Sequence, residues 1–288
     1  MKPLYLVTAL AISTAVAGCA FDRTTVMQGL SGPTKGAKLK SESVSTQPLE
    51  DEGIAVLAGR NLRTRFWAIG GSGGIVPIHG HADRPAVFTV ASGDIFEYSS
   101  LEDEPIHHMT GGLAKEEGSL AHWWRNAGTE TVHLIAFDVQ PVAKDYAAVS
   151  VSPVPTAVKF DLPAAKAVQN DLLGVVDLGS HFNDAYGTGW ALTTYRATIE
   201  PGGVLPDFTG PGEPLQTFLW KGELQEHRSD KDETVTLAER TGSNLGNGAT
   251  AYWENTGDVA AELYFGVVEP LSEVEGVEAV GVLAHGEH

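Results

Sequence analysis

Three histidines in the N-terminal half have the residue type and the spacing of a metal site. His79 and His81 are separated by one glycine, and on a β-strand, where side chains alternate between faces, both imidazoles project from the same face. His122 follows about forty residues later, where a neighbouring strand could complete a triangle of ligands. Three neutral imidazoles with open coordination positions suit Fe(II), Mn(II), Zn(II), Cu(II) or Ni(II). The pattern predicts a divalent metal held by His79, His81 and His122.

An internal repeat with an offset of 129 residues organises the chain. Residues 93–97 align with 222–226, and Trp124 and Asn126 align with Trp253 and Asn255. The three histidines are not repeated, because their positions in the second copy hold Phe208, Gly210 and Ala251. The second copy is therefore predicted to be structural.

Both copies have the pattern of short β-strands. Runs rich in β-branched and aromatic residues are separated by Gly, Pro, Asn and Asp at turn spacing. These runs lie at 65–69, 86–90 and 131–137 in the first copy and at 193–198, 215–220 and 261–268 in the second. Segment 162–173 fits either a helix or a strand that crosses to the other copy. The sequence predicts an all-β sandwich, barrel or jelly roll.

Residues 55–140 resemble the cupin superfamily, and 185–270 resemble it more weakly. The positions that carry the resemblance are Gly74, His79, His81 and Gly93 in its first motif and Gly118, His122 and Asn126 in its second. The spacing from Gly74 to His79 is one residue shorter than in the family's motif. The resemblance implies two cupin barrels (double-stranded β-helix, or jelly roll) in one chain, the second degenerate, with the three histidines as metal ligands.

The chain departs from that motif at one ligand. The family's first motif carries a metal-binding glutamate, whose position is taken here by Pro85 or Ala86. Similar sites with three histidines and no such glutamate occur in thiol dioxygenases and some diketone-cleaving cupins, so the resemblance still implies metal binding. Asp83 and Glu117 are the nearest alternative carboxylates.

Three further residues beside the motifs are candidates for substrate binding: Arg84, Trp123 and Arg125. A guanidinium can hold a carboxylate through two hydrogen bonds. The alternatives are an ion pair of Arg84 with Asp83 or Glu97, and a packing role for Trp123. Because Glu97 is repeated as Glu226, it is assigned to the fold.

Composition and charge exclude several classes of protein. The formal net charge of −18 argues against nucleic-acid binding, which needs clustered Lys and Arg. A single cysteine excludes a disulfide framework and a Cys-rich zinc site. The hydrophobic share of 42% is sufficient for a folded core.

That cysteine, Cys19, follows an apolar run and the small residues Ala17 and Gly18, a pattern that resembles the lipobox of bacterial lipoproteins. The resemblance implies acylation of Cys19 and, since Ala20 follows, a location in the outer membrane facing the periplasm. The alternative is an ordinary signal peptide. The predicted segments are a signal peptide at 1–18, a flexible tether at 19–50, the first barrel at 51–145, a connector at 146–180, the second barrel at 181–275 and a tail at 276–288.

Three functions remain open at the level of sequence. The first is a membrane-anchored, mononuclear non-haem metal enzyme, an oxygenase (dioxygenase) or a lyase acting on a small molecule. The second is a non-enzymatic module that binds or senses a small molecule or carbohydrate. The third is a structural envelope lipoprotein. A homodimer through edge strands is compatible with each, although two barrels in one chain could pair internally instead.

Overall fold

The described part of the chain consists mainly of β-strands, and a short 3-10 turn, Leu271–Glu273, follows the last of them. The computed structural model describes residues 24–27, 29–48, 57, 59–81, 83–116, 120–141, 166–177, 189–207, 209, 213–246 and 248–274. The predicted all-β class is confirmed. Within these residues, no helix combines the length and the apolar character needed to span a membrane. The predicted signal peptide, Cys19 and the tail lie outside them.

Two antiparallel sheets enclose the first barrel. One has the order β3–β4–β11–β6–β9 and the other β5–β10–β7–β8. The first sheet contains β3 (Leu39–Pro48), β4 (Arg60–Ile69), β6 (Ala86–Ser92), β9 (Leu113–Glu116) and β11 (Val132–Pro141). The second contains β5 (Gly74–Gly80), β7 (Ile95–Ser99), β8 (Ile106–His108) and β10 (Ala121–Asn126). A hairpin of β1 (Thr24–Met27) and β2 (Leu30–Pro33) precedes them.

The second barrel is one continuous sheet with the order β16–β15–β18–β13–β19–β14–β17, and β12 pairs with β13. Strand β13 joins the two halves of this sheet: its first part pairs with β12 and β19, and Val204–Pro206 pair with β18. The strands are β12 (Lys166–Asp177), β13 (Trp190–Pro206), β14 (Leu215–Lys221), β15 (Leu224–Arg228), β16 (Val235–Leu237), β17 (Asn244–Leu245), β18 (Ala251–Glu254) and β19 (Ala261–Pro270).

The sequence repeat is also a repeat of strands. Strands β6, β7, β8 and β11 recur 129 residues later, with unchanged lengths, as β14, β15, β16 and β19. Gly93 and Gly222 occupy the same turn in the two copies, both with positive φ (86° and 85°). A side chain at Gly93 would also approach Val132 to 2.9 Å, so only glycine fits this turn.

Strands also occupy the two segments in which the sequence predicted a tether and a connector. Strand β3 pairs with β4 from Leu39 opposite Ile69 to Pro48 opposite Asn61, and β12 pairs with β13. Of the two alternatives for segment 162–173, the strand is therefore found. The Ser- and Thr-rich segment of β3 has few large apolar residues, but its backbone can still extend a sheet at its edge, where little side-chain burial is required.

Three clusters of buried hydrophobic residues stabilise the molecule, one inside each barrel and one between the barrels. The third cluster, called here the inter-barrel core, includes Phe66 and Phe137 of the first barrel and Phe218 and Tyr264 of the second. A buried amide bridges the same interface, because Gln216 Nε2 donates to the Leu62 carbonyl at 2.9 Å. The two barrels are thus joined by a packed, hydrogen-bonded interface rather than by a linker alone.

Candidate metal centre

The predicted three-histidine cluster (His79, His81 and His122) is assembled in the first barrel. His79 lies in β5, His81 follows that strand, and in β10 His122 is directly opposite His79. The register between β5 and β10 shifts between His122 and Trp124. Such a bulge re-aims side chains locally, and it allows both Val76 and His79 to line the interior.

The outer nitrogens of the cluster are each fixed by a hydrogen bond. In every histidine, Nδ1 lies 2.6–2.8 Å from an oxygen. The three acceptors are the carbonyls of Pro77 and Arg84 and the carboxylate of Glu97. Because a carbonyl or an ionised carboxylate can only accept, each Nδ1 must carry the hydrogen. In the neutral imidazoles, each Nε2 therefore presents a lone pair to the interior.

The three Nε2 atoms converge on one point. His122 Nε2 lies 3.1 Å from Nε2 of His79 and 3.1 Å from Nε2 of His81. All three ligand atoms are within 4.8 Å of one another. Nitrogens bound at about 2.0–2.1 Å to one metal ion are separated by roughly 2.8–3.4 Å at octahedral or tetrahedral angles. The cluster therefore fits a divalent metal, and without a cation or a shared proton its lone pairs would repel one another.

Burial keeps two of these imidazoles neutral. It lowers the pKa of His79 to about 3 and that of His81 to about 2, with a further lowering from His122. Burial also acts to lower the pKa of His122, but the carboxylates of Glu116 and Glu97 outweigh it and raise that pKa above its ordinary value. Neutral imidazole is the form that binds metal.

A carboxylate that the sequence did not indicate completes the inner surface of the site. Glu116 in β9 is 3% exposed, and its oxygens lie 3.2 Å from His81 Nε2 and 3.3 Å from His122 Nε2. Burial raises the pKa of Glu116 to about 7. Of the two carboxylates named from the sequence, Asp83 is exposed and Glu117 lies outside the described residues.

Glu97 has a role at the site that its repetition as Glu226 concealed. One of its oxygens accepts from His122 Nδ1 at 2.6 Å and the other from His108 Nε2 at 2.8 Å. Burial alone would raise the pKa of Glu97, but the bonds from His108 and His122 lower it to about 2. A carboxylate behind a ligand imidazole fixes the orientation of the ring and raises its basicity. The assignment of Glu97 to the fold alone was thus incomplete.

Of the three residues proposed for substrate binding, the structure places only Arg84 at the pocket beside the histidines. Arg65 also lines this pocket, with its guanidinium 4.3 Å above the ring of Trp67. Burial and the neighbouring Arg63 lower the pKa of Arg65 to about 10. Arg84 Nη1 lies 3.9 Å from Asp138, so the ion pairs suggested with Asp83 or Glu97 are replaced by this one.

Trp123 and Arg125 lie on the other face of β10. Alternation along this strand directs His122 and Trp124 into the barrel, where they are 0% and 1% exposed. Trp123 instead stacks on Tyr98, with ring centroids 3.9 Å apart, and Arg125 is exposed. Their expected contact with a substrate in this pocket is therefore corrected, because neighbouring residues of a strand cannot both face one side.

At the positions equivalent to His122 and Glu116, the second barrel has apolar residues. Ala251 is fully buried at the position of His122, and Leu245 takes the position of Glu116. Glu226, equivalent to Glu97, accepts a hydrogen bond from the indole of Trp253 at 3.0 Å. Phe208 and Gly210 lie outside the described residues.

Comparison with known proteins supports the fold. No family model matches the chain, and no curated protein matches it. Solved structures that are similar include oxalate decarboxylase from Bacillus subtilis (13% identity, 87% of this chain and 78% of that chain, TM-score 0.53). Oxalate decarboxylase from Lactobacillus farciminis in complex with formate is similar too (11% identity, 90% and 88%, TM-score 0.52). So is the 7S globulin of Momordica charantia (13% identity, 82% and 81%, TM-score 0.53).

A decarboxylase and a globulin share this architecture, so the fold does not decide the activity. The matches extend over most of both chains, which agrees with the repeat of strands and the two barrels. Together with the motif that carries the three histidines, they establish the fold class expected from the sequence: this chain is an all-β protein of two cupin barrels, of which the first contains a three-histidine cluster compatible with a divalent metal ion.

Proposed function

We propose that the first barrel is a mononuclear metal centre in which His79, His81 and His122 bind one divalent ion. The observation that carries this proposal is the fixed tautomer of all three rings. Each Nδ1 donates to a rigid acceptor, so three Nε2 lone pairs face one point inside the barrel. A packing role would not require three imidazoles to direct their lone pairs at one another.

The reaction class that best fits this site is that of a small-molecule oxygenase or lyase. A bound divalent ion would supply Lewis-acid or redox chemistry. Around it, Arg65 and Arg84 line the same pocket, and Arg63 is paired with Asp138. Because Asp138 is already paired with Arg63, the positive charges of Arg65 and Arg84 favour a substrate with an anionic group. Arg84 is fixed from two directions, since its carbonyl accepts from His81 and its side chain approaches Asp138.

Metal content tests the centre directly. We expect the purified protein to retain about one equivalent of metal, and His79→Ala and His81→Ala each to lose most of it. His227→Ala is the control, because His227 stacks on Tyr252 in the second barrel and should leave the content unchanged. Equal metal content in the parent and both cluster variants would overturn the proposal.

Turnover of small carboxylates tests the reaction class. We expect metal-dependent turnover whose KM rises at least about tenfold in Arg84→Gln, since a charged hydrogen bond contributes about 1.5–3 kcal/mol. Arg125→Gln, on the outer face of β10, is the matched control. Metal-dependent binding without turnover would favour a binding or sensing module over an enzyme.

We also propose that the protein is anchored to the outer membrane through acylated Cys19, with its barrels facing the periplasm. The support is the sequence pattern at residues 1–19. We expect Cys19→Ser to move the protein from the membrane fraction to the soluble fraction and to abolish labelling by a radioactive fatty acid. Unchanged labelling would contradict the anchor.

A further inference from the structure

A carboxylate in β9 lies over the place where the cupin motif has its glutamate. In the sheet, Glu116 is the direct cross-strand partner of Ala86, and Ala86 is one of the two positions at which the motif predicts a carboxylate. Directly opposed residues of an antiparallel pair project from the same face, with Cβ atoms about 4.5–5.5 Å apart. A side chain from Glu116 can therefore reach the space that a glutamate at position 86 would occupy.

The carboxylate of Glu116 faces the Nε2 atoms of the three-histidine cluster. Glu116 Oε1 is buried and has no hydrogen-bond partner in the described structure. Nε2 of His81 and Nε2 of His122 lie 3.2 Å and 3.3 Å from the carboxylate oxygens. In the form that binds metal all three rings are neutral, and neither of these nitrogens then carries a hydrogen, because Nδ1 does. Four groups with lone pairs thus face one another in the barrel. A buried polar group without a partner is costly, and a cation would satisfy all four.

The second barrel shows that the fold does not need a carboxylate here. The pair Ala86 and Glu116 of the first barrel corresponds to the pair Leu215 and Leu245, which are likewise directly opposed and are 0% and 1% exposed. The same two strands are therefore compatible with an apolar pair. Packing therefore does not explain why the first barrel has a glutamate at position 116.

We propose that Glu116 is a ligand of the metal, so that the ion is held by three imidazoles and one carboxylate supplied by β9 instead of the motif position. This inference rests on the proposed metal centre. The carboxylate adds a harder ligand to the three nitrogens, and such a mixed set suits Mn(II) or Fe(II) better than imidazoles alone would. It also neutralises one charge of the ion.

Removal of the carboxylate is the first experiment. The affinity of the full-length protein for Mn(II) and Co(II) is measured by competition with a chelator, and the visible absorption of the Co(II) form is recorded. We expect Glu116→Gln to weaken binding by about 100-fold or more, as even residues behind a ligand contribute 10–100-fold, and to change the Co(II) spectrum. Glu269→Gln is the control, since Glu269 is also a buried carboxylate but accepts from Tyr195 in the second barrel.

Transfer of the carboxylate is the second experiment. In Glu116→Ala combined with Ala86→Glu, the carboxylate returns to the facing strand, and we expect affinity to recover by at least about tenfold relative to Glu116→Ala alone. A double variant as weak as the single one would contradict the placement of both positions over one site.

The outcomes distinguish a failure of this inference about Glu116 from a failure of the proposed metal centre. If the parent binds metal through the histidines and Glu116→Gln has the parental affinity and Co(II) spectrum, the carboxylate is not a ligand and only this inference is overturned. If metal binding is absent, or is insensitive to His79→Ala and His81→Ala, the proposed centre is wrong.

Discussion

At the scale of single residues, the site depends on atoms outside the motif. The acceptors that fix His79 and His81 are backbone carbonyls of Pro77 and Arg84, which any residue type would supply. A sequence can indicate the imidazoles but not the carbonyls that set their tautomers. The histidines were thus predictable as a set, whereas the hydrogen bonds that leave each Nε2 available to a metal depend on the three-dimensional fold.

The two carboxylates of the site were not assigned from the sequence, for different reasons. Glu97 was attributed to the fold because Glu226 repeats it, yet the two residues accept from different partners, His122 in one barrel and Trp253 in the other. Glu116 has no fixed spacing from the histidines along the chain. Its position depends on the pairing of β9 with β6, and strand register is weakly encoded in short segments.

Replacing Glu97 tests the hydrogen bond behind His122. We expect Glu97→Gln to lower metal affinity by about 10–100-fold while leaving the stoichiometry unchanged, because His122 loses an anionic acceptor but keeps its Nε2. The matched control is Glu226→Gln, the equivalent change in the second barrel. Competition with a chelator measures the metal affinity of both variants. Equal affinities for Glu97→Gln and the parent would show that this bond does not tune the site.

Acidification tests the buried neutral histidines. The pKa values of His79 and His81, about 3 and about 2, lie below that of an unfolded histidine. Between about pH 6.5 and pH 3 the unfolded chain therefore binds more protons at these two groups. Glu116, with a pKa raised to about 7, acts in the opposite direction above about pH 4.5, and His122, whose pKa is raised above its ordinary value, does so near and above about pH 6.5. Over most of the range from about pH 6.5 to 4.5, His79 and His81 outweigh these two groups.

The metal-free protein should accordingly lose stability as the pH falls from about 6.5 to 4.5, and more steeply below about 4.5, where Glu97 with its pKa of about 2 adds to the histidines. Urea denaturation with a chelator present, repeated at several pH values, measures this. The double variant His79→Gln and His81→Gln should show a shallower loss. Constant or rising stability on acidification would contradict the account.

At the scale of elements, the strands were largely predictable and their partners were not. Apolar and β-branched runs separated by turn residues predicted β4, β6 and β11 and their counterparts in the second copy. These strands are recognisable because each buries side chains in a packed interface. The edge strand β3 was missed because its pairing relies on backbone hydrogen bonds, and β12 was left open between a helix and a strand. Alternation of side chains along β10 also explains why Trp123 and Arg125 face away from the pocket, although they share this strand with His122.

The contact between β11 and β19 gives a prediction at this scale. A Cβ added at Gly266 would lie 2.2 Å from the ring of Phe137, so Gly266→Ala must displace one strand from the other. We expect a loss of about 1–3 kcal/mol in the free energy of unfolding, the usual cost of overpacking. Gly128→Ala is a control, since its added methyl would meet nothing nearer than 3.4 Å. Equal stability of Gly266→Ala and the parent would contradict close docking of the barrels.

At the scale of the whole molecule, the two barrels have the same strands but different interiors. The first barrel has Glu116, Ala86 and Asp138 in one cross-strand row, and the second has Leu245, Leu215 and Val267 in the corresponding row. The polar row lies beside the histidines. The offset of 129 residues was visible in the sequence, whereas this contrast follows from strand pairing.

The number of divalent ions bound per chain tests whether only the first barrel holds a metal. We expect saturation at one divalent ion per chain, because at the position of His122 the second barrel has Ala251, and Leu245 fills the place of Glu116. Elemental analysis after dialysis against excess Mn(II) or Zn(II) gives the value. Two ions per chain that persist in His79→Ala would place a site outside the three-histidine cluster.

The contact of Phe137 with Gly266 has a consequence for how the two halves came to depend on each other. These residues occupy equivalent positions of the repeat, so one position of the repeat meets itself across the interface between the barrels. Two copies of the first barrel would oppose two phenylalanine rings at this point, and two copies of the second would leave a void. The two halves are therefore complementary at this point, one with an aromatic ring and the other with the space that the ring fills, and neither half could replace the other in the pair.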